Sequence, residues 1–137
     1  MKIIADTSVV LAWLFEEERT TKAIEVLRRI ESDGILVPQL WWSELENGIL
    51  TGERRGRKSI ADSTAFLKLV RALQIQTDDT PRHRISDDIL EIGRKHQLTA
   101  YDATYAELAV REGAILATFD AALRRCGPAL GIRILPA

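Results

Sequence analysis

Cysteine and histidine are scarce in this chain of 137 residues. The one cysteine, Cys126, rules out an internal disulfide, and there is no Cys/His cluster of the kind that holds zinc. The two histidines, His83 and His96, lie in charged segments away from any motif, which argues against histidine acid–base catalysis. No apolar run approaches the roughly 20 residues that span a bilayer. The opening Met-Lys-Ile-Ile-Ala-Asp is too short for the apolar core of a secretory signal, so a cytoplasmic protein is expected, with no membrane partner. An excess of one charge is missing too: 19 Lys and Arg stand against 20 Asp and Glu, a net charge of -1. The chain is therefore no general polycation, and any RNA contact must come from a local basic patch. Repeats, low-complexity tracts and linkers are absent. The 46% hydrophobic and 28% charged composition fits a globular chain with a real core, and the length fits one domain over residues 1–137.

What is present is an alternation of short apolar strands and amphipathic helices. Strands are expected at 2–5, 35–37, 74–77, 114–117 and 132–135, the third of them weak. Thr7 or Ser8 caps a helix to about Phe15, with Val9, Val10, Trp13 and Leu14 on its buried side. A charged turn at 16–19 follows. Thr20 or Thr21 then caps a second helix that ends at Asp33-Gly34. Further helices are expected at 39–51, where Gly52 to Gly56 breaks the pattern, and at 59–73, with Ile60, Leu67, Val70 and Leu73 at helical spacing. The next covers 82–97, another runs from Thr99 to about Arg111, and a short one starts at Asp120. Strands separated by helices imply an α/β fold, a parallel sheet with helices on both faces.

Four carboxylates stand where a strand or loop hands over to a helix, or just inside that helix: Asp6, Glu44, Asp102 and Asp120. In an open parallel sheet the carboxyl ends of the strands gather along one edge, and sites form there. Four acids confined at that edge repel one another and need a cation to stay ionised together. For all-oxygen ligands Mg2+ or Mn2+ is the usual one. The residues themselves thus point to a metal-dependent hydrolase of phosphate esters. Each acid also has a purely structural reading. Asp6 and Asp120 are well placed as helix caps, Asp102 follows Thr99 at capping-box spacing, and Glu44 can be a solvated helix residue with Glu46 as its rival. Taken together the four favour function, because a parallel sheet brings three of these helix starts to one edge. Ser8 and Thr118 can support the acids from behind, although both are ordinary capping residues. Asp78-Asp79 and Asp87-Asp88 read as solvated or capping, Trp41 as core, Cys126 as inert and His83 as solvent-facing. The basic segment Arg54 to Lys58 is a candidate for RNA phosphates.

These motifs resemble the PIN-domain ribonucleases, in particular the VapC-type toxins of prokaryotic toxin–antitoxin pairs. Asp6-Thr7-Ser8 is similar to the family's opening motif. Pro38 through Asn47 resembles the helix that supplies the family's glutamate, which selects Glu44 over Glu46. Leu98 through Leu108, around Asp102, resembles the third acidic motif, and Leu116-Ala117-Thr118-Phe119-Asp120 the fourth. The match runs in order over nearly the whole chain, and residues 53–90 carry no family signature. The resemblance implies a three-layer PIN-like domain with a central parallel sheet of four to five strands flanked by helices. It also implies Mg2+ (or Mn2+) dependence, endoribonuclease activity and a homodimer. Asp6, Asp102 and Asp120 would hold one or two ions, and Glu44 would complete the site or orient the attacking water. An antitoxin would lie across the groove with a basic residue near the acids. Trp13, Leu14, Phe15 and Trp42 are a surplus of large apolar residues in the first helices, expected in part at an interface. Two alternatives remain. A haloacid-dehalogenase-type α/β phosphatase wants a second Asp two positions after the first, where this chain has Ser8. A non-catalytic RNA- or protein-binding module on the same fold would be marked by loss of a site acid, and all four are present.

Overall fold

Three tripeptides, Ile3–Ala5 (β1), Ile35–Val37 (β2) and Ile115–Ala117 (β4), are buried at every residue. A strand covered on both faces cannot alternate, so it reads as an unbroken apolar run. Ile75–Thr77 (β3) and Ile134–Leu135 (β5) are more exposed and form the edges. The computed structural model describes residues 2–15 and 18–137. The five strands are all parallel, in the order β3-β2-β1-β4-β5, with Ile4 of β1 opposite Leu36 on one side and Leu116 on the other. The chain winds from β1 outward through β2 to β3, then returns to lay β4 against the other flank of β1. The switch point of the sheet therefore lies between β1 and β4, and crevices form outside the carboxyl ends at such a point. Among the described residues seven helices flank the sheet, and the expected three-layer α/β architecture holds: α1 (Thr7–Leu11), α2 (Thr21–Asp33), α3 (Leu40–Arg54), α4 (Ile60–Arg71), α5 (Arg82–His96), α6 (Ala100–Glu112) and α7 (Ala121–Leu130).

The caps explain most of these boundaries. Thr20, rather than Thr21, starts α2 by accepting the Ala23 N–H at 3.1 Å, and Gly34 ends it at φ 76°. A Cβ at Gly34 would lie 2.6 Å from the Gln74 carbonyl, so the turn needs glycine for space as well as for conformation.

Three local expectations are corrected. Helix α1 stops at Leu11 instead of reaching Phe15, and Leu14 and Phe15 turn into the core, each 4% exposed. Of the charged turn, Glu16 and Glu17 lie outside the described residues. Helix α3 passes through Gly52 to Arg54. Its glycines are there for contact: a Cβ on Gly48 would sit 2.5 Å from Leu11 Cδ1, and one on Gly52 would sit 2.7 Å from the Phe15 ring. In α4 the buried face is Ser63, Phe66 and Val70, while Ile60, the first helical residue, is 75% exposed. Helix α7 starts after Asp120 as expected and runs ten residues, with Pro128 inside it.

Candidate functional site

Asp6 follows β1 and is 8% exposed. Its side chain makes no cap hydrogen bond to α1. Instead the Ser8 hydroxyl donates to Oδ1 at 2.5 Å and the Thr118 hydroxyl donates to Oδ2. Thr118 follows β4, so this contact crosses the switch point, where the Asp6 N–H also donates to the Ala117 carbonyl at 3.1 Å. The same Thr118 oxygen accepts the Asp120 N–H at 3.0 Å. One hydroxyl thus joins the acid after β1 to the acid after β4. Asp120 does act as a cap, its Oδ2 accepting the Leu123 N–H at 2.9 Å.

Asp102 lies in the first turn of α6, its N–H bonded to the Thr99 hydroxyl at 3.1 Å. Glu44 projects from the second turn of α3 and is half-buried, whereas Glu46 is exposed. The hydroxyl of Tyr105, a residue 2% exposed on α6, donates to Glu44 Oε1 at 2.5 Å. The four acidic motifs do not by themselves single out Tyr105 as a site residue. Its signal was the spacing: three residues after Asp102 it shares a helix face with that acid.

Electrostatics tie the four acids together. Burial pushes the Asp6 carboxyl above the usual range, against the Ser8 and Thr118 hydroxyls, and the charge of Asp120 adds to the rise. Burial and then Asp120 raise Asp102, with Thr99 opposing. Burial raises Glu44 against the Tyr105 hydrogen bond, and Asp6 and Asp102 raise it further. Among the described residues no ion pair joins any of the four to a basic side chain. Nor do three His, Cys, Asp or Glu side chains among the described residues converge into a ready-made metal-ligating group. The Asp6, Glu44 and Asp120 carboxylates each accept a hydrogen bond from a hydroxyl or backbone N–H. The donor set is carboxylate oxygen throughout, the set that suits a hard divalent ion, so the residues fit Mg2+ or Mn2+.

Two other acids behave differently. Asp78, expected to be solvated or capping, follows β3 and is ion-paired: Arg111 Nη2 lies 2.8 Å from its Oδ2. Arg111 Nε also donates to Glu107 at 2.7 Å, and the Glu107 side chain is 5% exposed. Burial works against the charged form of Asp78, but Arg111 and Thr80 outweigh it and hold the carboxyl below its usual range. The basic segment near Arg54 lies at the far end of α3, about 15 Å along the helix from Glu44 at the usual rise. There Arg57 stacks 4.0 Å from the Phe15 ring centroid and pairs with Glu18.

The fold is a five-stranded parallel α/β sheet in which Asp6 and Asp120 flank the switch point between β1 and β4. The chain belongs to the PIN domain family, whose pattern matches residues 3–127. It is similar to Ribonuclease VapC3 of Pyrobaculum aerophilum, 28% identical over 136 residues, a match covering 95% of this chain and 98% of that protein. The fold is shared with the crystal structure of PAE2754 from Pyrobaculum aerophilum, at a TM-score of 0.66 and 22% identity, over 90% of this chain and 82% of that one. The resemblance read from the four motifs, to the PIN domain and its VapC-type members, is borne out.

Proposed function

We propose that this chain is a divalent-metal-dependent endoribonuclease, the toxin of a type II toxin–antitoxin pair, acting in the cytoplasm as a single domain through Asp6, Glu44, Asp102 and Asp120. The observation that carries the proposal is that burial, and then neighbouring acids, raise Asp6, Glu44 and Asp102, with no basic ion-pair partner among the described residues. PIN-family membership and the likeness to Ribonuclease VapC3 support RNA as the substrate.

A bound Mg2+ or Mn2+ would lower the pKa of a water and offset the charge of the scissile phosphate. Asp6, Asp102 and Asp120 would hold it, with Glu44 completing the site. Ser8 and Thr118 fix the orientation of Asp6, and Thr118 ties Asp120 to it. Glu44 Oε1 is taken by Tyr105, which leaves Oε2 to accept a proton from the attacking water. The raised pKa of Glu44 makes it a stronger base than an ordinary carboxylate. The water oxygen bonds to phosphorus as the P–O3′ bond breaks, and the O3′ oxygen takes a proton from solvent. The products are a 3′-hydroxyl and a 5′-phosphate. Cleavage of a single-stranded RNA by the purified protein with Mn2+, its loss on adding a chelator and its return on adding excess Mn2+ test this reading. RNA left intact under every metal condition rejects it.

An active nuclease in its own cell needs a blocking partner. A guanidinium fits a group of carboxylates in fork geometry and competes with the metal, so the antitoxin would reach the acids with an arginine. Inhibition that survives removal of every Arg and Lys from the partner's blocking segment rejects that socket. A homodimer belongs to the same reading. Of the apolar residues expected in part at that interface, Leu14 and Phe15 are core and Trp13 and Trp42 pack partly against it, while Leu50 and Leu69 are exposed on α3 and α4. Light scattering that returns the 15.4 kDa monomer across micromolar concentrations rejects the dimer.

A further inference from the structure

A pocket of about 310 Å³ opens at the same sheet edge, between the starts of α3 and α5 and one face of α6. Leu40, Ile85, Leu108 and the Tyr101 ring make it largely apolar, and its polar lining includes Arg82, Thr104 and the Arg111–Asp78 pair. The volume is at the small end for ligand sites, enough for one planar group rather than a large ligand. Tyr101 is 66% exposed and stands immediately before Asp102 in the first turn of α6. Its ring is therefore an open aromatic face one residue from a candidate site acid.

Arg82 supplies the second observation. Its Nη1 donates to Thr104 Oγ1 at 2.9 Å, and the Thr104 hydroxyl donates in turn to the Ala100 carbonyl at 2.6 Å. No carboxylate among the described residues pairs with Arg82. A neutral hydroxyl thus holds this guanidinium in place while its remaining N–H groups stay available. Arg111, the other arginine lining the pocket, is committed to Asp78, Glu107 and Thr80. An apolar slot, an open ring and one positioned, unneutralised cation match a planar base with an anion attached.

We propose that this pocket takes a nucleobase of the RNA strand beside the scissile phosphate, with Tyr101 stacking on the base and Arg82 meeting the adjoining phosphate. The inference rests on the ribonuclease reading above and extends it from the cleaved bond to the strand around it. Stacking on an aromatic ring tolerates any base, and an arginine fork suits a phosphate. The pocket therefore positions the strand more than it reads sequence.

The test is steady-state cleavage of a fluorescent single-stranded RNA in Mn2+ by wild type, Tyr101→Ala, Tyr101→Phe and Arg82→Gln. Both residues are exposed, so the variants should keep the wild-type melting temperature. Tyr101→Ala and Arg82→Gln should each raise KM about tenfold with kcat nearly unchanged, and Tyr101→Phe should stay close to wild type. Wild-type KM in both Tyr101→Ala and Arg82→Gln overturns the subsite, as does a loss confined to kcat. If both cut RNA normally but escape the inhibitory partner, the pocket takes a peptide and the proposal fails. RNA left uncut by the wild type sinks the nuclease reading itself, and the subsite with it.

Discussion

Two acidic neighbourhoods share one edge of the sheet and have opposite electrostatics. Beyond β3, Asp78 and Glu107 are bridged by Arg111, and Asp78 is held ionised below its usual range. Beyond β1 and β4, burial and then neighbouring acids raise Asp6, Asp102 and Glu44, and among the described residues no arginine pairs with them. In the first group the fold itself supplies a cation, one arginine shared by two carboxylates. The second has no such cation among the described residues, which is the pattern expected of the proposed metal site. The teaching is that an acid cluster is not informative until its cations have been traced.

The largest expected effects break the second neighbourhood. Asp6→Asn or Asp102→Asn should lower RNA cleavage at least about a hundredfold, because an amide is a poorer ligand for a hard cation. Circular dichroism should remain native, and wild-type cleavage rates at matched Mn2+ would show that these acids are not the site. Next in size, Tyr105→Phe removes the one hydroxyl that holds Glu44 Oε1. A hydrogen bond to a charged group is worth about 1.5–3 kcal/mol, so kcat/KM should fall about ten- to a hundredfold, read at saturating metal. An unchanged value would mean that Glu44 needs no such support.

Arg111→Ala strikes the first neighbourhood and should appear in stability. It leaves two partly buried carboxylates unpaired, at a cost of about 2 kcal/mol, measurable from the urea midpoint. No shift in that midpoint would make the bridge a surface ornament.

The smallest effect is the sharpest, because the two neighbourhoods should differ in sign. A raised carboxyl costs stability once pH exceeds its folded pKa, and the cost vanishes below its unfolded value near about 4. Metal-free Asp6→Asn should therefore melt a few degrees above wild type at neutral pH, and the gap should close on acidification toward pH 4. Saturating Mn2+ should reverse the order, because the wild type alone gains the full ion affinity. A depressed carboxyl contributes stability above its unfolded pKa and loses it as pH falls through the folded value. Asp78→Asn should therefore melt below wild type at neutral pH, with that gap closing in acid. Parallel pH trends in the two variants, measured by differential scanning fluorimetry, would erase the distinction.

The interior strands were legible because burial on both faces leaves no polar residue inside them, so β1, β2 and β4 stand out even at three residues. Helix starts were legible wherever a hydroxyl caps, as Thr20 and Thr99 do. Errors arose where a residue's partner is remote. Gly52 looks like a breaker until the Phe15 ring is seen against it, and Ile60 looks like core until its helix is turned. Local sequence holds no record of such contacts.

Ser59-x-x-Asp62 and Thr99-x-x-Asp102 make the point most directly, since both read as the same capping device. At Ser59 the reciprocal box closes, and its backbone and side-chain hydrogen bonds hold exposed Asp62 below the usual carboxylate range. At Thr99 the same spacing carries an acid that burial and the charge of Asp120 push upward. The sequence by itself determined the chemistry available: four carboxylates in order at helix starts, one cysteine, no histidine nearby, and strands that must lie in a parallel sheet. Only the tertiary structure decided which acids are satisfied. Arg111 reaches Asp78 across 33 positions, Tyr105 reaches Glu44 across 61, and Thr118 reaches Asp6 across 112. The physical reason is that ionisation depends on burial and on charges within a few ångströms, and the fold sets both.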